Sequence, residues 1–205
     1  MKPAKAVRPV AGVRPEYLEA FAEIVGRVAA KLAKSPAASL PVRMYIAGGA
    51  ALYLLTGVRV SEDIDATFSR RVVFGEDIEV SYRDTDGGAR LLYLDRNYND
   101  TLGLLHQDAY ADSLPVRIPG IDASRVETRI LSPLDLAVMK FARFSEQDRA
   151  DIELLAREEL IDARSLRRRA EEALQDYVGA LDAVRTSIAL ACRIVEAAAQ
   201  PRRKR

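Results

Sequence analysis

The chain of 205 residues contains only one cysteine and one histidine, and it has no tryptophan. The single cysteine, Cys192, excludes an intramolecular disulfide, and one cysteine with one histidine does not make a Cys–His metal cluster. The net charge of +1 gives no general attraction to nucleic acid or membrane. No apolar run approaches a membrane span, and the N-terminus has no signal-peptide core. We therefore expect a cytoplasmic protein.

Hydrophobic residues make up 49% of the chain and charged residues 30%, which is typical of a globular protein with a substantial core. The length suits one domain with a small appendage. Residues 1–14, with prolines and basic residues in no regular order, are predicted to be a flexible tail. Residues 15–131 are predicted to form a sheet core, residues 132–200 a C-terminal helical module, and residues 201–205 a basic tail.

Hydrophobic periodicity predicts the elements around this core. Apolar residues at helical spacing follow Pro15 as far as residue 34. Residues 77–83 and 89–94 flank a glycine-rich turn and predict a hairpin, while two shorter strands are expected at 114–118 and 126–131. Ser132 then caps a helix that is expected to run over residues 134–144.

The stretch from Tyr45 to Phe68 organises the rest of the chain. An apolar run at residues 44–47 predicts a buried strand, and Gly48-Gly49 breaks it with a sharp turn into a short apolar helix. The N–H groups at such a helix start suit a phosphate. Asp63 and Asp65 follow in a second predicted strand.

Residues i and i+2 of a strand point to the same face, so Asp63 and Asp65 are expected side by side with Ile64 facing the core. Two adjacent carboxylates repel each other unless a cation lies between them, and hard oxygen ligands suit Mg²⁺. A phosphate-binding turn close to a Mg²⁺ site is what nucleotidyl transfer requires. The competing interpretation is an ordinary βαβ corner with a solvent-facing Asp pair.

Gly48-Gly49 followed by Asp63-x-Asp65 resembles the signature of the nucleotidyltransferase fold shared with DNA polymerase β. Within that fold the chain looks most like a minimal bacterial branch, the AbiEii-type toxins and related uncharacterised nucleotidyltransferases. The resemblance covers roughly residues 40–160. It implies an α/β mixed sheet flanked by helices, with the Asp pair holding Mg²⁺ (or Mn²⁺).

The segment 131–155 resembles the helical motif of the same branch, in which a lysine faces the nucleotide and an acidic pair follows. By position Lys140 matches the lysine, Asp148 the first acid and Asp151 the second. The resemblance implies that Lys140 neutralises a triphosphate and that Asp148 orients Lys140 or approaches the metal. For Asp151 we favour a structural role on a solvated helix face.

A third metal-binding carboxylate is common in related folds, and the sequence does not identify it. The candidates for the third carboxylate are Asp95, Asp108, Asp112 and Asp122.

The single histidine, His106, is expected to be a partly buried, hydrogen-bonded residue rather than part of the site.

The resemblance implies a Mg²⁺-dependent, ATP-binding type of enzyme that transfers a nucleoside monophosphate from an NTP to an acceptor hydroxyl. The acceptor is left open between tRNA, a protein side chain and a small molecule such as an aminoglycoside. A toxin-like or defence role with a cognate antitoxin or operon partner is one possibility, and no membrane partner is expected. The nucleotide-binding set is Gly48, Gly49, Arg59, Ser61, Lys140 and Asp148.

Two alternatives compete with the enzyme. One is a catalytically silent nucleotide-binding or toxin–antitoxin interaction protein of the same fold. The other is a structural protein in which the glycine turn and the Asp pair are incidental.

Overall fold

The computed structural model describes residues 7–33, 35–100 and 103–199. Its backbone divides into two compact units. Of these described residues, the sheet unit takes in those from 7 to 98 and from 112 to 131, and the helical unit takes in the rest, up to residue 199. The described residues of 99–111, which the sequence pattern assigned to the sheet core, therefore group with the helices. The predicted tail at 201–205 lies outside the described residues.

The sheet unit is built on six strands in the order β3-β4-β2-β1-β6-β5. The central strand β1 pairs antiparallel with β2 and parallel with β6, and β2 pairs parallel with β4. This mixed sheet with flanking helices confirms the predicted fold class. The strands are β1 (Val42–Ile46), β2 (Asp63–Phe68), β3 (Glu79–Arg83), β4 (Ala89–Asp95), β5 (Leu114–Pro115) and β6 (Val126–Ile130).

Two α-helices belong to the described part of the sheet unit. Helix α1 (Pro15–Lys31) begins with proline at its first position, where the missing N–H costs no hydrogen bond. Its apolar stripe packs against β3, β4 and β6 and covers one face of the sheet. Helix α2 (Gly48–Thr56) joins β1 to β2 and ends, as expected, at Gly57, whose φ of 69° is readily reached only without a side chain.

The predicted hairpin is confirmed as the antiparallel pair β3–β4. The strand expected at 114–118 is shorter, because only Leu114–Pro115 pairs regularly with β6. The next two residues also contact the N-terminal segment: Val116 forms a parallel bridge with Val7 while its N–H still donates to the Thr128 carbonyl of β6, and Arg117 N–H donates to the Val7 carbonyl.

Residues 7–14 are packed against the sheet unit, whereas their composition predicted a tail. Val10 N–H donates to the Leu54 carbonyl over 3.2 Å, and Val13 is 5% exposed. Proline disfavours regular secondary structure, but it does not prevent a segment from binding an edge strand through isolated hydrogen bonds.

The helical unit contains α3 (Pro133–Val138), α4 (Glu146–Arg157), α5 (Ala163–Ala173) and α6 (Leu181–Ala198). Helix α3 begins as predicted, with Ser132 Oγ accepting from Asp135 N–H. The helix expected over 134–144 is wrong in length. Phe144 adopts a φ of 47°, and Ser145 then caps a new helix, so the chain turns between α3 and α4. Within the described residues, no helix is long and apolar enough to cross a membrane.

Candidate nucleotide and metal site

The glycine turn of the sheet unit connects β1 to α2 beside Asp65 of β2. Ala47 N–H donates to the Asp65 carbonyl over 2.9 Å, and Gly48 follows with a φ of 56°. A Cβ atom on Gly48 would overlap Oδ2 of Asp65, and one on Gly49 would overlap Oγ of Ser61. The glycines are therefore required by close approach as well as by backbone conformation. Because Ala47 has no polar side chain, it does not cap the N–H groups at the start of α2.

The aspartates of β2 have the predicted alternation. Asp63 and Asp65 are partly exposed, while Ile64 between them is fully buried on the opposite face. The two carboxylates therefore share the face of the sheet that Ile64 does not. A metal ion or a polar ligand can reach them there.

Ser61 and Arg59 flank the pair in the loop before β2. Ser61 is 6% exposed, and its hydroxyl donates to Oδ1 of Asp63 over 2.6 Å. This bond fixes the Asp63 carboxylate and leaves Oδ2 as its second acceptor. Nη2 of Arg59 lies 3.7 Å from the position that a Cβ on Gly49 would occupy, so the guanidinium stands beside the turn. The structure thus brings together Gly48, Gly49, Arg59, Ser61, Asp63 and Asp65.

The strand register separates the four candidates for a third carboxylate. Asp95 on β4 is the cross-strand partner of Asp65 and shares its face. Asp122 precedes β6 at the end of the sheet where β1 starts, which is opposite to the glycine turn. Asp112 precedes β5, three strands from β2 and so about 14 Å away. Asp108 lies in the helical unit. Asp95 alone of the four is on a strand next to β2.

The side chain of Asp95 is engaged locally, because its Oδ1 accepts the N–H of Asn97 over 2.8 Å. Accordingly, no group of three His, Cys, Asp or Glu side chains arranged to hold a metal is found in the described ranges 7–33, 35–100 and 103–199. Mg²⁺ in nucleotide sites is commonly held by one or two carboxylates together with water and phosphate oxygens. The oxygen donors of Asp63 and Asp65 fit that requirement.

Lys140 belongs to a buried charge cluster of the helical unit. Its Nζ lies 2.7 Å from Oδ2 of Asp151 and 3.5 Å from Oδ1 of Asp148, and its side chain is 11% exposed. Asp151 is 2% exposed and also accepts from Nε2 of Gln147 over 2.8 Å. The solvated helix face favoured for Asp151 is therefore wrong: its carboxylate is buried and neutralised.

Asp148 is fully buried and accepts four short hydrogen bonds. Nε and Nη2 of Arg143 donate over 2.8 and 2.7 Å, and the N–H and hydroxyl of Ser145 donate over 2.9 and 2.7 Å. Burial alone would raise the pKa of Asp148, but these bonds and the Lys140 charge outweigh it and hold the pKa well below its usual value. Ser145 and Asp148 also form the capping box of α4.

Some of these contacts have a sequence signal and others have none. The spacing from Ser145 to Asp148 is that of a capping box, so the sequence carries a signal for the start of α4, which follows the helix expected over 134–144. The register of Asp95 with Asp65 has no sequence signal.

His106 is 6% exposed. Its Nδ1 accepts from Asp108 N–H over 3.0 Å, and its Nε2 lies 3.4 Å from the carboxylate of Glu172. The prediction of a hydrogen-bonded histidine is therefore confirmed.

A strand, a glycine turn, a helix and an Asp-x-Asp strand on a mixed sheet backed by a helix define a nucleotidyltransferase-fold domain. The comparison with family models agrees. The chain belongs to the family described as "Nucleotidyltransferase of unknown function (DUF6036)", whose model matches residues 26–190. Searches of curated proteins and of solved structures return no match.

Proposed function

We propose that this chain transfers a nucleoside monophosphate from an NTP to an acceptor hydroxyl in a reaction that depends on Mg²⁺ or Mn²⁺. The observation that carries the proposal is the joint position of the glycine turn and the Asp pair, where Asp65 lies against Gly48 and Ser61 orients Asp63. The family assignment supports the same class of reaction.

Asp63 and Asp65 would hold the metal, which when bound neutralises phosphate charge. A triphosphate beside the metal would meet the N–H groups at the start of α2 and the positive charge of Arg59. Ser61 is buried against Asp63, so its contribution in this proposal is to position that carboxylate rather than to contact phosphate.

In the proposed reaction the acceptor oxygen forms a bond to the α-phosphorus, and the bond from that phosphorus to the oxygen bridging to the β-phosphate breaks. Pyrophosphate leaves with the electron pair, and the hydroxyl proton passes to a site carboxylate and then to water. The protein contributes mainly position and charge to such a transfer. Asp95, the cross-strand partner of Asp65, is the carboxylate best placed to assist.

Lys140 and Asp148 were predicted from the resemblance to bind nucleotide, and that role stays a prediction. Their contacts favour a structural contribution, because Lys140 already pairs with Asp151 and Asp148 already accepts from Arg143 and Ser145. A toxin-like role, an antitoxin partner and the AbiEii likeness likewise stay predictions.

One observation favours a second candidate, a catalytically silent nucleotide-binding protein. The Asp95 side chain already accepts the N–H of Asn97, and the described residues contain no cluster of three carboxylates that could hold a metal. Related folds often use three carboxylates. Such a protein would bind Mg²⁺–NTP without releasing pyrophosphate.

The test compares the wild type with Asp63→Asn and with Asp77→Asn, an exposed acid paired with Arg96, as the matched control. We expect Mg²⁺-dependent NTP binding by calorimetry in the wild type and the control. In Asp63→Asn we expect transfer to fall by about 10²–10³-fold because the charge that holds the metal is lost. Binding without turnover would select the silent alternative, and an unaffected Asp63→Asn would overturn the metal assignment.

A further inference from the structure

The two edges of the sheet have different surroundings. At the β5 edge, Val7 forms a parallel bridge with Val116, so the N-terminal segment lies along that edge. Strand β3 forms the other edge, and no segment within residues 7–33, 35–100 and 103–199 pairs with its outer side. An open edge strand presents unpaired N–H and C=O groups and can pair with a strand of another chain. The outer side of β3 is therefore a candidate interaction surface.

The pairing of β3 with β4 shows which residues point outwards. The Ile78 carbonyl, just before β3, accepts from Leu94 N–H over 2.9 Å, so residue 78 bonds to β4. Along an antiparallel strand, residues that bond to one neighbour alternate with residues that do not. The backbone groups that point away from β4 therefore belong to the odd-numbered residues of β3, namely Glu79, Ser81 and Arg83. A further strand can bond to these groups.

The sequence of β3 is complementary to itself when two copies run antiparallel. It reads EVSYR, with Ser81 at its centre. A two-fold axis through Ser81 would place Glu79 of each copy opposite Arg83 of the other. It would also place Val80 opposite Tyr82, and both kinds of pair are favourable cross-strand neighbours. In this register the odd-numbered residues face one another, so their outward N–H and C=O groups can bond.

The charged ends of β3 are available for such contacts. Glu79 and Arg83 are exposed, and neither forms an ion pair with another described residue. Nη1 of Arg83 donates to the Gly87 carbonyl over 3.3 Å, a contact that leaves its charge unbalanced. Charged side chains commonly protect an edge strand from pairing. Here the two charges have opposite signs and are equally distant from Ser81, so antiparallel pairing of two copies would join unlike charges.

Helix α1 follows β3 in a direction that supports the same pairing. The Tyr17 and Tyr82 rings lie 6.3 Å apart, and Nη1 of Arg27 donates to the Glu79 carbonyl over 2.8 Å. That carbonyl keeps a second lone pair for a strand partner. The two contacts show that α1 runs antiparallel to β3. The two-fold axis would therefore bring Arg27 of one copy towards the helix start of the other, which carries Glu16.

We propose that this chain forms a homodimer in which the β3 strands of two copies pair antiparallel about Ser81 and join two six-stranded sheets into one. The axis between two such strands is perpendicular to the sheet, so both Asp pairs would lie on the same face. Five strand spacings of about 4.8 Å separate β2 from its copy, which places the two Asp pairs about 24 Å apart. The proposal is independent of the proposed function, because it depends only on β3 and α1.

The first test determines the oligomeric state of the full chain and the register of the pairing. Sedimentation velocity over a series of concentrations should show the wild type as a dimer in equilibrium with monomer. In a glutathione redox buffer, Ser81→Cys should form a disulfide-linked dimer, because opposite residues of a bonded antiparallel pair have Cα atoms about 5.5 Å apart. Glu79→Cys should not, because its two copies would be about 14 Å apart. The wild type, whose single cysteine is buried, is the control for both variants.

The second test concerns the charges. Glu79→Arg would place two arginines opposite each other at both ends of the paired strands and should weaken the dimer by about tenfold. The double variant Glu79→Arg with Arg83→Glu exchanges the two charges and should dimerise as the wild type does. Asp182→Arg changes the net charge equally at a fully exposed position on α6 and should leave the dimer unchanged. Circular dichroism checks that each variant is folded.

Three results would overturn the proposal. The first is a wild type that stays monomeric at every concentration, which would leave the β3 edge to a strand of another protein. The second is a dimer that is cross-linked by Glu79→Cys and not by Ser81→Cys, which would mean another register or another surface. The third is a dimer that a folded Glu79→Arg variant leaves as stable as the wild type.

Discussion

Each of the two units contains a pair of aspartates close together in the chain, and the two pairs meet opposite surroundings. Asp63 and Asp65 of the sheet unit are partly exposed on a strand, and a serine hydroxyl positions Asp63. Asp148 and Asp151 of the helical unit are buried and accept from Arg143 and Lys140.

The difference shows what each pair can do. A buried carboxylate with its charge already balanced has little capacity for a further cation, and removal of its partner leaves a buried charge that destabilises the fold. Two partly exposed carboxylates that share one face favour a metal ion, because a cation relieves their mutual repulsion. This contrast supports the proposal that the Asp pair of the sheet unit holds the ligand site and that the pair of the helical unit is structural, and each part of the proposal has its own test.

The largest effect is expected for Lys140→Met, which removes the ammonium group beside the buried Asp151. We expect the free energy of unfolding to fall by about 3–5 kcal/mol, the usual cost of breaking a buried ion pair from one side. Chemical denaturation measures it. Arg157→Met, which removes an exposed pair with Glu153 on α4, is the control and should cost less than about 1 kcal/mol.

A double variant, Lys140→Met with Asp151→Leu, should recover much of the lost stability because no buried carboxylate then remains at position 151. If Lys140 serves the nucleotide alone, Lys140→Met will instead keep wild-type stability and lose affinity for NTP. That outcome would break the contrast between the two units.

An intermediate effect on the free energy of unfolding is expected at the glycine turn. Gly48→Ala places a Cβ against Asp65 Oδ2 at a residue whose φ is 56°, and we expect a loss of about 1–3 kcal/mol together with weaker Mg²⁺–NTP binding. A Cβ atom on Gly26, inside α1, would have no neighbouring atom within 4 Å. Gly26→Ala should therefore stabilise the protein by about 0.5–1 kcal/mol, as measured by the same denaturation curves.

Equal costs for Gly48→Ala and Gly26→Ala would contradict the close approach described for the turn. Nucleotide binding that survives in a folded Gly48→Ala protein would show that displacement of Asp65 does not matter to the ligand.

The smallest effect concerns pH. The pKa of Asp148 is lowered in the folded state, so its stabilising contribution is fully present above the unfolded value near 3.8 and is lost as the pH falls from there towards the folded value. The wild type should thus lose more stability between pH 5 and pH 3 than Asp148→Asn does, and the difference should be about 1 kcal/mol. Unfolding curves at both pH values measure this difference.

Asp182→Asn provides the reference for that experiment, because the Asp182 side chain is fully exposed. Its pH dependence should match the wild type. An Asp148→Asn profile parallel to the wild type would mean that the Asp148 carboxylate is not favoured by the fold.

The sequence determined the parts of this protein that depend on local pattern. The glycine turn, the short helix after it and the alternation of Asp63, Ile64 and Asp65 follow from backbone freedom and from the period of a strand, and the structure has all three. The hairpin β3–β4 and the start of α3 at Ser132 likewise follow from turn and capping residues.

Only the tertiary structure decided what depends on pairing between distant segments. Four aspartates were equal candidates in the sequence, and strand order alone placed Asp95 beside Asp65. Burial turned Asp151 from an expected surface acid into the partner of Lys140, and isolated pairing with Val116 fixed the N-terminal segment near Val7. Composition and periodicity describe a residue's own element, whereas register, burial and charge balance are properties of the neighbours that folding brings to it.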